Sequence, residues 1–162
     1  MRDDVTATEG WVQLLEEMDA MAEELEADGW ETLTIPAGDT GAVLAEEPFT
    51  DRHGYVYVVP GDVGETFETM FVPDGFSQTD IYQRATPKHL FLLTVFLDQP
   101  TGSAILLAGV HDRETVQRCR GVASETGVMY SHLFTVDRTH LGSFEHDDPA
   151  PFFPVDGSEG NK

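Results

Sequence analysis

Two neighbouring segments that are apolar on both faces constrain this chain more than any other feature. They read Leu90-Phe91-Leu92-Leu93-Thr94-Val95-Phe96-Leu97 and Ala104-Ile105-Leu106-Leu107-Ala108-Gly109-Val110, parted by the turn-forming stretch Asp98 to Gly102. Successive side chains of a strand point to opposite faces, so a strand with one face in water alternates apolar with polar residues. Neither segment alternates. Both must be central strands with a layer of structure on each side.

The rest of the pattern is built around them. A strand over 78–85 precedes the pair, and Thr86-Pro87 breaks it from the next, so strands 78–85, 88–98 and 103–110 connect as hairpins. Upstream, Trp11, Leu14, Leu15, Met18, Met21, Ala22 and Leu25 recur at three- and four-residue steps, the stripe of an amphipathic helix. The spacing predicts a helix over 7–28, opened by Thr6 and Glu9 at capping-box spacing. Gly29 supplies a left-handed stop, with Trp30 folding back on Leu25.

A strand over 31–35, a polar loop to about Gly54 and a strand over 55–59 follow. Asp62 is expected to open a second helix that buries Val63, Phe67, Met70 and Phe71 and closes at Pro73 and Gly75. The two Gly-Asp-x-Gly stretches, 38–41 and 61–64, read as turn and cap punctuation rather than phosphate loops. Asp112 caps a third helix that ends near Gly127 and buries Val116, Cys119 and Ala123. Strands 128–136 and 139–144 close the pattern.

The expected class is α+β: a mixed, mostly antiparallel sheet of about seven strands with three helices, in the order α-β-β-α-β-β-β-α-β-β. The crossover through the third helix predicts a parallel pair formed by its flanking strands. The order of the first eight elements is similar to that of roadblock and profilin-like folds, some of which regulate small GTPases. Residues 1–145 read as one domain and 146–162 as an acidic Pro/Gly-rich tail with its last ten residues frayed. Phe152 and Phe153 are aromatics that must dock on this domain or on a partner.

Charge narrows the function. The chain carries 30 Asp and Glu against 9 Lys and Arg, a net charge of −21, and only two of the nine bases are lysines. Such a surface repels nucleic-acid phosphates and anionic lipid, so neither is expected as a partner. No apolar run reaches the roughly 20 residues that cross a bilayer, and no apolar stretch follows the early charge as in a signal peptide. Cys119 is the single cysteine, which fits a reducing cytoplasm. The acids are spread along the chain instead of forming one acidic block. Molar salt, with a Debye length of about 3 Å, would screen their repulsion, so a halophilic cytoplasm is the expected setting.

Four stretches, Glu26-Ala27-Asp28-Gly29-Trp30, Tyr57-Val58-Val59-Pro60-Gly61-Asp62, Ala104-Ile105-Leu106-Leu107-Ala108-Gly109 and 139–149 (Thr139-His140-Leu141-Gly142-Ser143-Phe144-Glu145-His146-Asp147-Asp148-Pro149), sample nearly the full length. In them the chain resembles an uncharacterised haloarchaeal family, a domain of unknown function. The resemblance implies a halophilic source and carries no activity and no site residues.

The sequence holds no paired-cysteine zinc motif, His-Glu-x-x-His, Walker loop, Rossmann fingerprint or nucleophile elbow. Two residue sets stand out instead. His132, His140 and His146, with Glu145, Asp147 and Asp148 beside them, have the donor chemistry for Zn²⁺ or another divalent ion. Register decides whether they meet. A two-residue turn at Asp137-Arg138 puts His132 and His140 on opposite faces, and a three-residue turn makes His132 and His146 diagonal neighbours. The plainer reading of His132 is a hydrogen-bonded core residue.

The second set, His111, Arg113, Arg118 and Arg120, is the one local basic patch, suited to an anionic metabolite or acidic partner. Self-neutralisation, with Glu114 and Arg118 four apart, is the plainer alternative. Cys119 reads as a small core residue. The leading expectation is a non-catalytic cytoplasmic binding or regulatory module, a homodimer or a subunit of a larger complex, because three helices fall short of covering the two-sided strands. A metal-dependent hydrolase built on the late histidines is the alternative. The sequence specifies no cofactor.

Overall fold

The rings of Phe96 and Phe144 stack with centroids 3.8 Å apart, and they do so where two β-sheets meet face to face. The structure, a computed structural model, describes residues 2–44, 52–72 and 75–154, with side chains from Thr8 onward. The elements run α1 (Arg2–Ala27), β1 (Glu31–Pro36), β2 (Asp39–Val43), β3 (Gly54–Val59), α2 (Gly61–Met70), β4 (Gln78–Ala85), β5 (His89–Asp98), β6 (Ser103–Asp112), α3 (Arg113–Thr126), β7 (Met129–Thr135) and β8 (His140–His146). A 3-10 turn at Ala150–Phe152 follows. Sheet 1 has the order β1-β6-β5-β4 and sheet 2 the order β2-β3-β7-β8.

The class is α+β, and the strands divide into two mixed sheets of four rather than one sheet of about seven. That division also departs from a single-sheet profilin-like arrangement. The additional strand is β2, which lies in the stretch expected as loop and pairs antiparallel with β3. Gly38 and Gly41 disguise it, because glycine is depleted in strands. The parallel pairs are β1 with β6 and β3 with β7, so β6 and β7, which flank α3, do not pair as expected. The reason is that β6 already has a neighbour on each edge, β1 and β5. The chain leaving α3 therefore joins the other sheet.

The two-sided strands are covered as their composition demands. Leu90, Leu92 and Phe96 of β5 with Ile105 and Leu107 of β6 enter the core between the sheets. Phe91, Leu93, Val95 and Leu97, with Ala104, Leu106 and Ala108, face α1 through Leu14, Met18 and Ala22. The second sheet thus provides cover that helices alone did not. Both β4–β5 and β5–β6 are hairpins, as expected.

Caps follow the local chemistry. Gly29 ends α1 at φ +97°. The Trp30 N–H donates to the Leu25 carbonyl and the Gly29 N–H to that of Glu26, each at 3.0 Å, the two bonds of a Schellman ending. At its other end α1 begins at Arg2, so Thr6 is an interior helical position and not a cap. Pro60, not Asp62, precedes α2, and Asp62 occupies the first turn, where its charge meets the helix dipole. Pro73 lies outside the described residues.

In α3 the Asp112 carboxylate accepts from the Thr115 N–H at 2.9 Å, Gly127 closes the helix at φ +79°, and Val116, Cys119 and Ala123 are buried. Phe152 and Phe153 dock on their own fold. Tyr55 Oη donates to the Phe152 carbonyl at 3.0 Å, and Gln83 Nε2 to the carbonyls of Pro151 and Phe153 at 2.8 and 2.6 Å. Residues 155–162, for which fraying is expected, lie outside the described residues.

Candidate functional site

The hairpin between β7 and β8 decides what the late histidines can do. The Thr135 N–H donates to the Thr139 carbonyl at 2.9 Å across three residues, Val136, Asp137 and Arg138, the last at φ +72°. The three-residue turn seats His140 opposite Phe134, on the face that carries His132. Phe134 then pairs with His140 but Leu133 with Gly142, leaving Leu141 as an extra residue. Such a bulge shifts every later residue to the other face.

Ser143 therefore opposes His132, and His146 opposes Met129 on the inner face. His132 and His140 come together with ring centroids 6.3 Å apart, whereas His146 is separated from both by the sheet. The expected diagonal contact of His132 with His146 does not form. Glu145 is exposed opposite Tyr130, on the His132 side, and Asp147 and Asp148 are exposed beyond β8. Among the described residues no three His, Cys, Asp or Glu side chains converge in a metal-holding group.

One hydroxyl joins the outer pair of histidines. His132 Nδ1 is 2.6 Å from Ser143 Oγ, His140 Nε2 is 2.7 Å from the same oxygen, and His132 Nε2 is 2.7 Å from the Arg52 carbonyl. A carbonyl only accepts, so Nε2 of His132 carries the proton and Nδ1 accepts from Ser143. Ser143 then accepts from His140. Burial, and after it the charge of neighbouring His140, holds His132 below the usual histidine range against the pull of the Arg52 carbonyl. The neutral ring packs beside Tyr130, over which the Arg52 guanidinium lies at 5.7 Å.

The inner histidines lie buried and bond within the fold. His146 Nε2 is 2.8 Å from Ser131 Oγ, its ring lies 4.2 Å from that of Phe152, and burial pushes its pKa down to about 3. His111 ends β6 with Nε2 3.2 Å from the Tyr57 hydroxyl, and burial likewise pushes it down to about 3.

The basic patch is tied into the chain's own backbone. Arg113 donates to the Thr86 carbonyl at 2.7 Å. Arg120 reaches the Pro154 carbonyl at 3.3 Å and lies 5.9 Å from the Phe153 ring centre. Arg118 is exposed on α3. His111 is buried, so it does not share a surface with the arginines.

The outer face of sheet 2, on which His132 and His140 lie, also carries an apolar surface that neither residue set includes. Registers across the sheet align Asp39, Val58, Phe134 and His140 in one row, and Gly41, Val56, His132 and Ser143 in the next. Val56, Val58 and Phe134 are half-buried, and Val136 at the hairpin tip is 77% exposed. They line a concavity of about 420 Å³ bounded by Asp39 on β2 and Arg138 beyond β7. All three helices bury their apolar faces elsewhere, α1 on sheet 1 and α2 and α3 in the core between the sheets.

Asp137 ties the β7–β8 hairpin together beside the concavity. Its carboxylate accepts from the hydroxyls of Thr135 and Thr139, and these bonds hold its pKa below the usual carboxylate range. The signal for this face was present in Tyr55-Val56-Tyr57-Val58-Val59, apolar on both sides like β5 and β6.

A family model described as a family of unknown function (DUF7529) matches residues 2–154. No curated protein and no solved structure matches the chain.

Proposed function

The chain belongs to the family of unknown function DUF7529, and we propose that it is a non-catalytic binding module of a halophilic, haloarchaeal cytoplasm, with the outer face of sheet 2 as its binding face. The observation that carries this reading is the apolar row Val56, Val58 and Phe134, half-exposed with no helix of the described residues over it. Exposed apolar surface of this kind marks interaction sites. The face is also nearly balanced in charge on a very acidic molecule. It carries Asp39 and Glu145 against Arg52 and Arg138, whereas α1 carries nine acids and one base.

The setting is read from charge. Among the described residues one ion pair lies within 4 Å, Arg84 with Glu17 at 3.1 Å. With 9 bases for 30 acids, most acids have no base of their own, and this fits a surface adapted to salt. The inner histidines and the basic patch support the non-catalytic reading, since their hydrogen bonds go to the fold itself.

Stability separates a binding face from a structural one. Val58→Thr and Phe134→Thr keep strand propensity, and each should lower the melting temperature by no more than about 2–4 °C, the equivalent of ~1 kcal/mol at this size. Leu133→Thr, one residue away on the inner face, should cost several times more. Equal losses at all three positions would assign the outer face to the fold instead of to binding.

A further inference from the structure

We infer that the partner of the outer face of sheet 2 is a second copy of this chain, in a two-fold arrangement that sets Arg138 of each copy against Asp39 of the other. This deepens the binding-face reading and rests on it. The first argument is charge. Two chains of −21 each can approach only through a surface that adds little to their mutual repulsion, and this face is nearly balanced. Its two charged boundaries are of opposite sign, Asp39 on β2 and Arg138 at the end of β7, and no ion pair within 4 Å joins them. An isologous interface places i on j and j on i. A surface bounded by one acid and one base is complementary to itself in that way, and the pair forms twice.

Shape points the same way. A two-fold axis between the two facing sheets, parallel to β3, lays β7 of one copy over β2 of the other. Val58 of both copies then meet near the axis. Rows stay in register under this operation, so β7 of one copy brings Phe134 to the level of Asp39 on β2 of the other and His132 to the level of Gly41, where space is open within 4 Å of a Cβ position.

The test is sedimentation equilibrium in about 3 M KCl, where the repulsion is screened, on wild type, Asp39→Arg, Arg138→Asp and the double variant. The wild type should sediment at twice 17.9 kDa. Each single change should weaken the dimer about tenfold or more, and the double exchange should recover most of that loss, as expected for a direct charge pair. Both positions are exposed, and an unchanged melting temperature confirms that each variant folds. A monomeric wild type, or a double variant no better than the singles, would overturn the proposal. In either case the threonine variants judge the binding-face reading separately, by melting temperature alone.

Discussion

The Tyr57 hydroxyl lies 3.2 Å from Nε2 of His111, deep between the two sheets. The same imidazole stacks on Tyr55 with centroids 4.1 Å apart. Burial pushes the phenol far above its usual range and the imidazole down to about 3. Both groups are therefore neutral, and the tautomer of His111 sets which of them donates.

This pair, with His146, predicts how stability depends on pH. In the unfolded chain both histidines take up a proton near pH 6.5. In the fold both stay neutral until about pH 3. Between those values the unfolded state binds more protons, so stability is complete above pH 7 and falls as pH drops. The slope is about 1.4 kcal/mol per pH unit for each histidine. Urea melts at high salt should show a loss of about 2–3 kcal/mol between pH 7 and about 5.5, above the range where carboxylates titrate. His111→Gln should halve the slope. A flat profile over that interval would contradict burial as neutral rings.

Removal of residues 1–29 should leave a protein that aggregates. Leu14, Met18 and Ala22 cover Phe91, Leu93 and Leu106 on sheet 1, and large apolar side chains contribute ~1.5–3 kcal/mol each when fully buried. Within the intact chain, Leu14→Ala should cost about 2–4 kcal/mol in a denaturant melt. A soluble truncated form with the wild-type melting temperature would make α1 a detachable arm.

Cys119 should be silent to alkylation in the folded protein. It is buried on α3, and burial pushes the thiol up to about 12 despite the neighbouring Arg118, so almost no thiolate exists at neutral pH. Iodoacetamide at pH 8 should modify it only after unfolding, as read by intact mass. Modification of the native protein at the rate of a free thiol would mean that α3 opens readily.

Elements were legible in the sequence wherever periodicity spoke for them. The α1 stripe, the Gly29–Trp30 ending, the Asp112 cap and the hairpins around β5 all follow from local residue chemistry. The division into two sheets was not legible, because whether β7 joins β6 depends on β1 having already taken that edge. The Leu141 bulge was nearly as hidden. Gly142 inside the strand is the one local mark of an extra residue, and that residue sends His146 inward while the three-residue turn sets His140 with His132. The outer face of sheet 2 was half legible: Val56 and Val58 signalled a second covered face, but its boundary at Asp39 needed β2 to be seen as a strand.

Salt should stabilise the fold itself. Like charges crowd the folded surface more closely than the unfolded chain, so KCl should raise the melting temperature steeply up to about 1 M, where screening is nearly complete. A sucrose series separates screening from solvent exclusion. No rise between about 0.1 and 1 M would remove the halophilic reading.

The central claim, that a highly acidic chain associates through its one nearly neutral apolar face, is tested most directly by the salt dependence of association. Sedimentation equilibrium of the wild type and of Phe134→Asp can be compared at about 0.1, 1 and 3 M KCl. The account predicts a wild-type dimer that tightens steeply between the first two salt concentrations, with Phe134→Asp monomeric at all three. Wild-type association that weakens as salt rises, or that survives Phe134→Asp unchanged, would contradict it.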